Sequence, residues 1–394
     1  MSTGNEAAEA LMYGRWEQAR ELLQNGTPLT GRYVENNKGQ IINSVFRAKA
    51  FDLVDKLIEN GVIETDVYEY DSFDRSVFKN IVQSLGADDT SLQFLRDLLK
   101  KIKHKDSDVR DQTILGFCME EGADPVLVRC LIEEGCDVHY KNNADMNLIH
   151  TVTGKPMLDA AKGTVYIRLL LDQGVDTNAR NVEGTTPLMV SVKRNQPGYL
   201  NPLLQAGADP NEADNKGETA FYQAVVHQQS LVLYNKLKEY VAPDFEKANR
   251  DGDFILPGYL RMSGGGSPEL LLQLISDGAD LYQASPYYNH PKSGVDWLAE
   301  KSPDLLKALL AAGAFDLDRQ DDAGNTLLHK VCAFNVNYEQ EAAKRTYQKV
   351  KLLLEAGAVP DITNNNEETP LMLASKDNLK ARTVELLMER INQV

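Results

Sequence analysis

A phrase of two apolar residues, two variable positions and then Gly-Ala-Asp or a near relative recurs along the chain. It is best formed at Leu170-Leu171 to Asp176, Leu203-Leu204 to Asp209, Leu309-Leu310 to Ala314 and Leu353-Leu354 to Ala358. Weaker copies end at Gly26, Gly61, Gly135 and Gly278, and degenerate ones carry Ile102 or Ala242 where the glycine is expected. These positions lie 35, 41, 33, 39, 33, 35, 36, 35 and 44 residues apart, which fits a unit of about 33 with local insertions.

A second phrase follows the first by about ten residues: Gly184-Thr185-Thr186-Pro187-Leu188, Gly217-Glu218-Thr219-Ala220-Phe221, Gly324-Asn325-Thr326-Leu327-Leu328-His329 and Glu368-Thr369-Pro370-Leu371. Thr before Pro suits a helix start, where the hydroxyl caps a free amide and the missing proline N–H costs nothing. The glycine suits a helix end, closing the last turn in a left-handed conformation. Thr186 to Leu204 therefore predicts helix, break, helix. Ser263-Gly264-Gly265-Gly266 before Ser267-Pro268-Glu269 makes the break explicit. One such pair has little apolar surface to bury, so neighbouring pairs must stack.

The two phrases in fixed phase resemble the ankyrin repeat. The resemblance implies an all-α fold, an ankyrin-repeat solenoid of about eleven helix-turn-helix units over residues 6–390, with hairpin fingers that form a concave face together with the first helices. Degenerate units would cover 6–142, more regular ones 143–251, degenerate ones again 252–320, and C-terminal repeats 321–390.

Four stretches exceed the unit, and excess in a rigid stack falls into loops where recognition commonly resides. After Gly61 comes Glu64-Thr65-Asp66-Val67-Tyr68-Glu69-Tyr70-Asp71-Ser72-Phe73-Asp74, and after Gly278 comes Tyr282-Gln283-Ala284-Ser285-Pro286-Tyr287-Tyr288-Asn289-His290-Pro291. The other two, 151–164 and 333–348, fall between the helices of their units. Two roles fit the finger tyrosines. Tyr68, Tyr70, Tyr287, Tyr288 and His290, with Glu69, Asp71 and Asp74, would offer contact area and steering to a partner. Alternatively, Tyr68, Tyr70 and Phe73 cover the junction with the next unit, while Tyr287 and Tyr288 pack under their own loop. In the ankyrin register the regular fingers and first helices expose Arg180, Glu183, Thr185, Lys193, Arg194, Lys216, Glu218 and His227, a polar groove or a solvated face.

Charge sharpens the picture of the partner. With 42 basic and 58 acidic residues the chain carries −16, which argues against nucleic acid and favours a basic protein partner. No apolar run approaches a membrane span and the first ten residues lack the regions of a signal peptide, so the expected location is cytoplasmic. Export by another signal stays open. Cys118, Cys130, Cys136 and Cys332 are expected as reduced thiols. Charged residues on the first and last units read as solubilising caps, as in a monomer or one member of a hetero-complex.

Apparent chemistry resolves into structure. Cys136 and His139 lack a second ligand pair for zinc. His329 and Cys332 mimic a base and nucleophile, but His329 holds the histidine position of the ankyrin phrase. Ser263 to Ser267 lacks the Lys and strand of a phosphate loop. The run Lys100, Lys101, Lys103, His104, Lys105 follows a helix end, where cations favour the dipole. No cofactor or metal is expected. The sequence thus points to a non-enzymatic protein-binding module that masks or scaffolds its partner, for instance a basic toxin. A bacterial effector that binds a host protein is the alternative, and an enzyme built on His290, Asp296 and Asp304 is the third class.

Overall fold

Thr186, Thr219, Thr326 and Thr369 follow the capping expectation: each hydroxyl accepts a hydrogen bond from the amide three residues on, at Met189, Tyr222, His329 and Met372. Such a cap contributes about 1 kcal/mol. Where the phrase is degenerate, Ser76, Thr113, Asn147 and Ser293 cap the equivalent helices. At the other end Gly174, with φ +75°, shows why glycine recurs. Its N–H and that of Val175 close on the carbonyls of Leu171 and Leu170 and end the helix Ala160–Asp172.

The structure is a computed structural model that describes residues 3–262, 267–313 and 316–392. The chain forms two compact units, Met1–Ala208 and Asp209–Val394. Among the described residues the first unit holds six helix pairs: Thr3–Met12 with Trp16–Gln24, Arg32–Arg47 with Val54–Glu59, Val77–Ser84 with Asp89–Leu99, Ile114–Glu120 with Pro125–Glu133, Leu148–Gly154 with Ala160–Asp172, and Pro187–Lys193 with Pro197–Gln205. The second holds five. Their first helices are Ala220–Tyr222 running on into a π-turn Gln223–His227, then Ile255–Met262, Gly294–Glu300, Leu327–Ala333 and Pro370–Ala374. Their second helices are Leu231–Lys238, Pro268–Ser276, Pro303–Ala311, Gln340–Glu355 and Ala381–Ile391.

Within each unit first helices pack on first helices of the next pair, and second helices on second helices from Asp89–Leu99 and from Pro268–Ser276 onward. Leu115, Ile149, Leu188, Leu260, Leu306 and Val331 are all fully buried between these layers. The glycine run Ser263 to Gly266 and the position Ala314 lie outside the described residues, while Ser267 caps the helix Pro268–Ser276 as expected.

Fingers join the pairs, and six of those described are closed by one local device. The side-chain oxygens of Asn142, Asn181, Asp214, Asn249, Asp321 and Asn364 each accept from the amides two and four residues on. Neighbouring fingers are tied by main-chain bonds, from Val182 N–H to Ala144 O, Arg250 N–H to Lys216 O and Asn365 N–H to Ala323 O. A Cβ on Gly217 would stand 2.9 Å from the Arg250 nitrogen, and one on Gly324 2.7 Å from the Asn365 nitrogen. Any side chain at these tips would push the next finger away.

Three lysines fasten successive pairs. Lys162 donates to Gly122 O, Lys349 to Ala299 O and Lys301 O, and Lys380 to Cys332 O. In each case the ammonium meets carbonyls at or just beyond the end of the preceding pair's first helix, where cations are favoured. The two stretches between helices become a loop at 155–159 and, at 334–339, a loop followed by a second helix of 16 residues. At their tips Met157 and Tyr338 are fully exposed in left-handed conformations.

Candidate functional site

The finger-and-first-helix face is organised by a side-chain rung. It runs from just before the helix to its last turn or just past it: Gln112 to Glu120, Asp253 to Arg261, Lys292 to Glu300 and Glu368 to Lys376. All four span eight residues. The rung Glu218 to His227 spans nine, and the π-turn Gln223–His227 supplies the extra residue. Asp253 is 3% exposed; one of its carboxylate oxygens accepts from both Arg261 and Tyr222 Oη, and the other has no hydrogen-bond partner.

In the first unit this face opens into a groove of about 910 Å³. Finger residues Asn142, Asn181, Glu183 and Thr185 line one side, and the helix ends Glu120, Lys155, Lys193 and Arg194 the other. The rung acid is replaced here by Thr185. Lys155 holds Glu120 at 2.9 Å. With Asp111 the lining carries three carboxylates and three cations, the mixed charge expected of a polar groove. Glu183, Lys193 and Arg194 line this one groove, whereas Arg180 and Lys216 are exposed on fingers outside the lining.

Glu218 corrects the expectation of exposure. Its side chain is only 13% exposed, because one oxygen is shared by Gln223 Nε2 and His227 Nε2. Tyr70 is a second correction. It is turned into the finger, where its hydroxyl donates to Glu64 O at 2.8 Å and its ring packs edge-on against Phe73 and Phe78, so burial pushes its pKa up. Tyr68, two residues earlier, is 71% exposed and lies on the His104 ring. His104 bonds Asp66, and that bond lowers the Asp66 pKa. Glu69, Asp71 and Asp74 are exposed, with Asp74 paired to Lys79.

The second long finger is an antiparallel hairpin, Ala284–Tyr287 with His290–Ser293, that pairs Tyr287 with His290. Tyr287 is locked by an edge contact to Trp297 and by Lys292, which lies 4.7 Å over its ring and 4.4 Å over the indole. Tyr288 is 91% exposed at the tip, and His290 is exposed beside it. Below the hairpin a second groove of about 700 Å³ was not anticipated from sequence. It is lined by Asp296, Asn325, Lys330, Phe334, Asn364 and Glu368 among others. Lys330 bridges Asp296 and Asp321; burial opposes its charge, but the two carboxylates outweigh burial and raise its pKa.

The residues that resembled chemistry are structural. His329 forms a reciprocal cap with Thr326 and bonds Glu368 O, and His150 does the same with Asn147 and Thr185 O. Asn147-Leu148-Ile149-His150 is thus a further copy of the second phrase, missed because it lacks threonine. Burial pushes the Cys332 and Cys136 thiols up to about 12, far from a nucleophile's range. Asp296 is bound to Ser293 and Lys330 and Asp304 to Ser302, while His290 opens the second hairpin strand opposite Tyr287, so the three lie in separate local settings. No described helix is long and apolar enough to cross a membrane.

Stacked helix pairs with fingers, reciprocal Thr/His and Asn/His caps and a polar face define a repeat scaffold for binding protein. The family model for ankyrin repeats matches residues 119–214, 156–236 and 296–394, more than half of the chain, and this chain belongs to the ankyrin repeat family. It is 28% identical over 247 residues to the NF-kappa-B inhibitor delta of Mus musculus, covering 57% of this chain and 72% of that protein. It is 25% identical over 266 residues to the E3 ubiquitin-protein ligase KEG of Arabidopsis thaliana, covering 63% of this chain but only 15% of the ligase. Protein glp-1 of Caenorhabditis elegans is likewise matched over 15% of its length, at 26% identity. The solved ankyrin repeat domain of Bcl-3 aligns with 61% of this chain and 97% of its own, at 23% identity and a TM-score of 0.48.

Proposed function

We propose that this chain is a non-enzymatic binding module that occupies a face of another protein, and so masks or scaffolds it. The observation that carries the reading is the open groove of about 910 Å³ between the fingers and first helices of the regular repeats. It is broad, polar and lined from several repeats at once, which suits a protein surface. A basic partner is favoured by the net charge of −16 and by the exposed Glu69 and Asp71 of the acidic finger. Masking is favoured because the mouse relative is by name an inhibitor. In this form the chain would neutralise a basic protein such as a toxin inside the cell that makes it. The alternative, a secreted bacterial effector, would use the same face on a host protein.

A photo-crosslinking amino acid at position 183 or 194, in chains incubated with extract of the producing cell, tests both forms. One basic protein crosslinked from both positions, and no longer crosslinked from position 194 in an Asp111→Lys/Glu183→Lys chain, is the expected result. Crosslinks formed only with extract of a host cell would favour the effector, and crosslinks unaffected by the charge reversal would remove the groove as the site.

A further inference from the structure

A separate recess lies on the second helices of the first unit, away from the fingers. The helix Val54–Glu59 has six residues where its neighbour Asp89–Leu99 has eleven, and a cleft of about 700 Å³ is left between them. Its floor is aromatic. Phe51 and Phe94 are half-buried and stacked in parallel, with centroids 4.1 Å apart and planes 5° apart. Phe46, fully buried beneath, meets both rings edge-on at 6.4 and 5.2 Å and fixes them in place.

The rim is acidic. Asp55, Asp89 and Asp97 border the cleft against one cation, Lys101, whose ammonium is engaged by Asp55. Asp89 and Asp97 are exposed. Carboxylates beside a fixed apolar floor repel anions and attract a cation carried on an apolar body. Rings left partly uncovered in one recess also retain apolar surface that a partner side chain can cover.

We propose that this cleft is a second docking site, on the outer helices, for an apolar segment of another protein flanked by lysine or arginine. The anchor side chain would lie on Phe51 and Phe94, and its basic neighbours would face Asp89 and Asp97. The site is independent of the groove assigned above, so one chain can hold two protein segments at once.

A phage library of random dodecapeptides, selected on the full chain at low salt, tests it. Enriched peptides should pair an aromatic or leucine with Arg or Lys. Synthetic versions, measured by fluorescence anisotropy, should bind the Asp89→Lys/Asp97→Lys chain at least roughly tenfold more weakly while binding the groove variant Asp111→Lys/Glu183→Lys unchanged. Both pairs are surface charges, so the fold should persist, and circular dichroism checks it. Peptides that lose affinity only in the groove variant would overturn the second site and support the first. No enrichment, acidic peptides, or binding indifferent to Asp89 and Asp97 would each overturn it as well.

Discussion

Lys349 is 1% exposed on the helix Gln340–Glu355, with its Nζ on the carbonyls of Ala299 and Lys301. Burial pushes its pKa from the ordinary 10.5 down to about 8, because two carbonyls replace only part of the water an ammonium loses. Between these values the unfolded chain binds the proton that the folded chain has released, so stability rises with pH across the window from 8 to 10.5. At 1.36 kcal/mol per unit the penalty is about 3 kcal/mol, present in full below pH 8 and gone above 10.5. Lys349→Met keeps the side-chain length and removes the titration. The stability of wild type minus that of the variant should therefore rise by about 3 kcal/mol from pH 7.5 to 10.5. Groups common to both chains, including Lys380 and the buried tyrosines, cancel in this difference. In a Trp16→Phe background Trp297 is the remaining tryptophan and reports from the unit that holds Lys349. Urea unfolding followed by its fluorescence gives the two curves. A difference that stays flat over the range refutes the reasoning, and would mean that the carbonyls keep the ammonium charged throughout.

Further outcomes follow from particular contacts. A Cβ at Gly163 would overlap Tyr199 Oη, so Gly163→Ala should destabilise by about 1–3 kcal/mol despite better helix propensity, read as a lower urea midpoint. Tyr199→Phe alone should be neutral or stabilising, because that buried hydroxyl has no hydrogen-bond partner. His150 and His329 have pKa values lowered by burial, so the unfolded chain protonates first and stability should fall as pH drops below 6.5. Urea midpoints at pH 7, 6 and 5 should show that fall diminished in a His150→Asn/His329→Asn chain. All four cysteines are buried, so Ellman's reagent should find no reactive thiol until denaturant is added.

The helix caps and the terminating glycines were legible because they are local backbone chemistry: Thr186 or Gly174 acts on amides and carbonyls within five residues. Asn147 to His150 was legible in principle, since a capping Asn with His three residues on repeats the Thr326 and His329 arrangement. The rungs were also written in the sequence as charges eight apart, at Asp253 and Arg261 or Glu368 and Lys376, with Glu218 and His227 displaced by the π-turn. Other features depend on tertiary packing. Tyr68 and Tyr70 are chemically alike, and only the place of Phe73 and Phe78 decides that the second turns inward. Phe51 and Phe94 stack across 43 residues, a contact that neither neighbourhood announces.

What the sequence did announce was where the regular pitch breaks. The three longest intervals between repeat ends are 41 residues from Gly61 to Ile102, 39 from Gly135 to Gly174, and 44 from Gly313 to Gly357. The groove at Lys155 lies at the second and the groove at Phe334 at the third, whereas the surplus of the first forms the finger 64–74. The physical reason is common to the two grooves. Helix pairs of equal length pack side by side and leave no recess, whereas added residues displace one element from its neighbour and the surplus becomes a loop on the rim. Met157 and Tyr338, fully exposed at the tips of two such loops, stand beside grooves that exist because those loops do. Shortening 155–159 should therefore remove the rim contributed by Lys155 and Pro156 while leaving the caps at Asn147 and Thr186 intact. Loss of crosslinking at position 183 with unchanged helix content is the expected result, and crosslinking that survives the deletion would show that the finger side of the groove suffices.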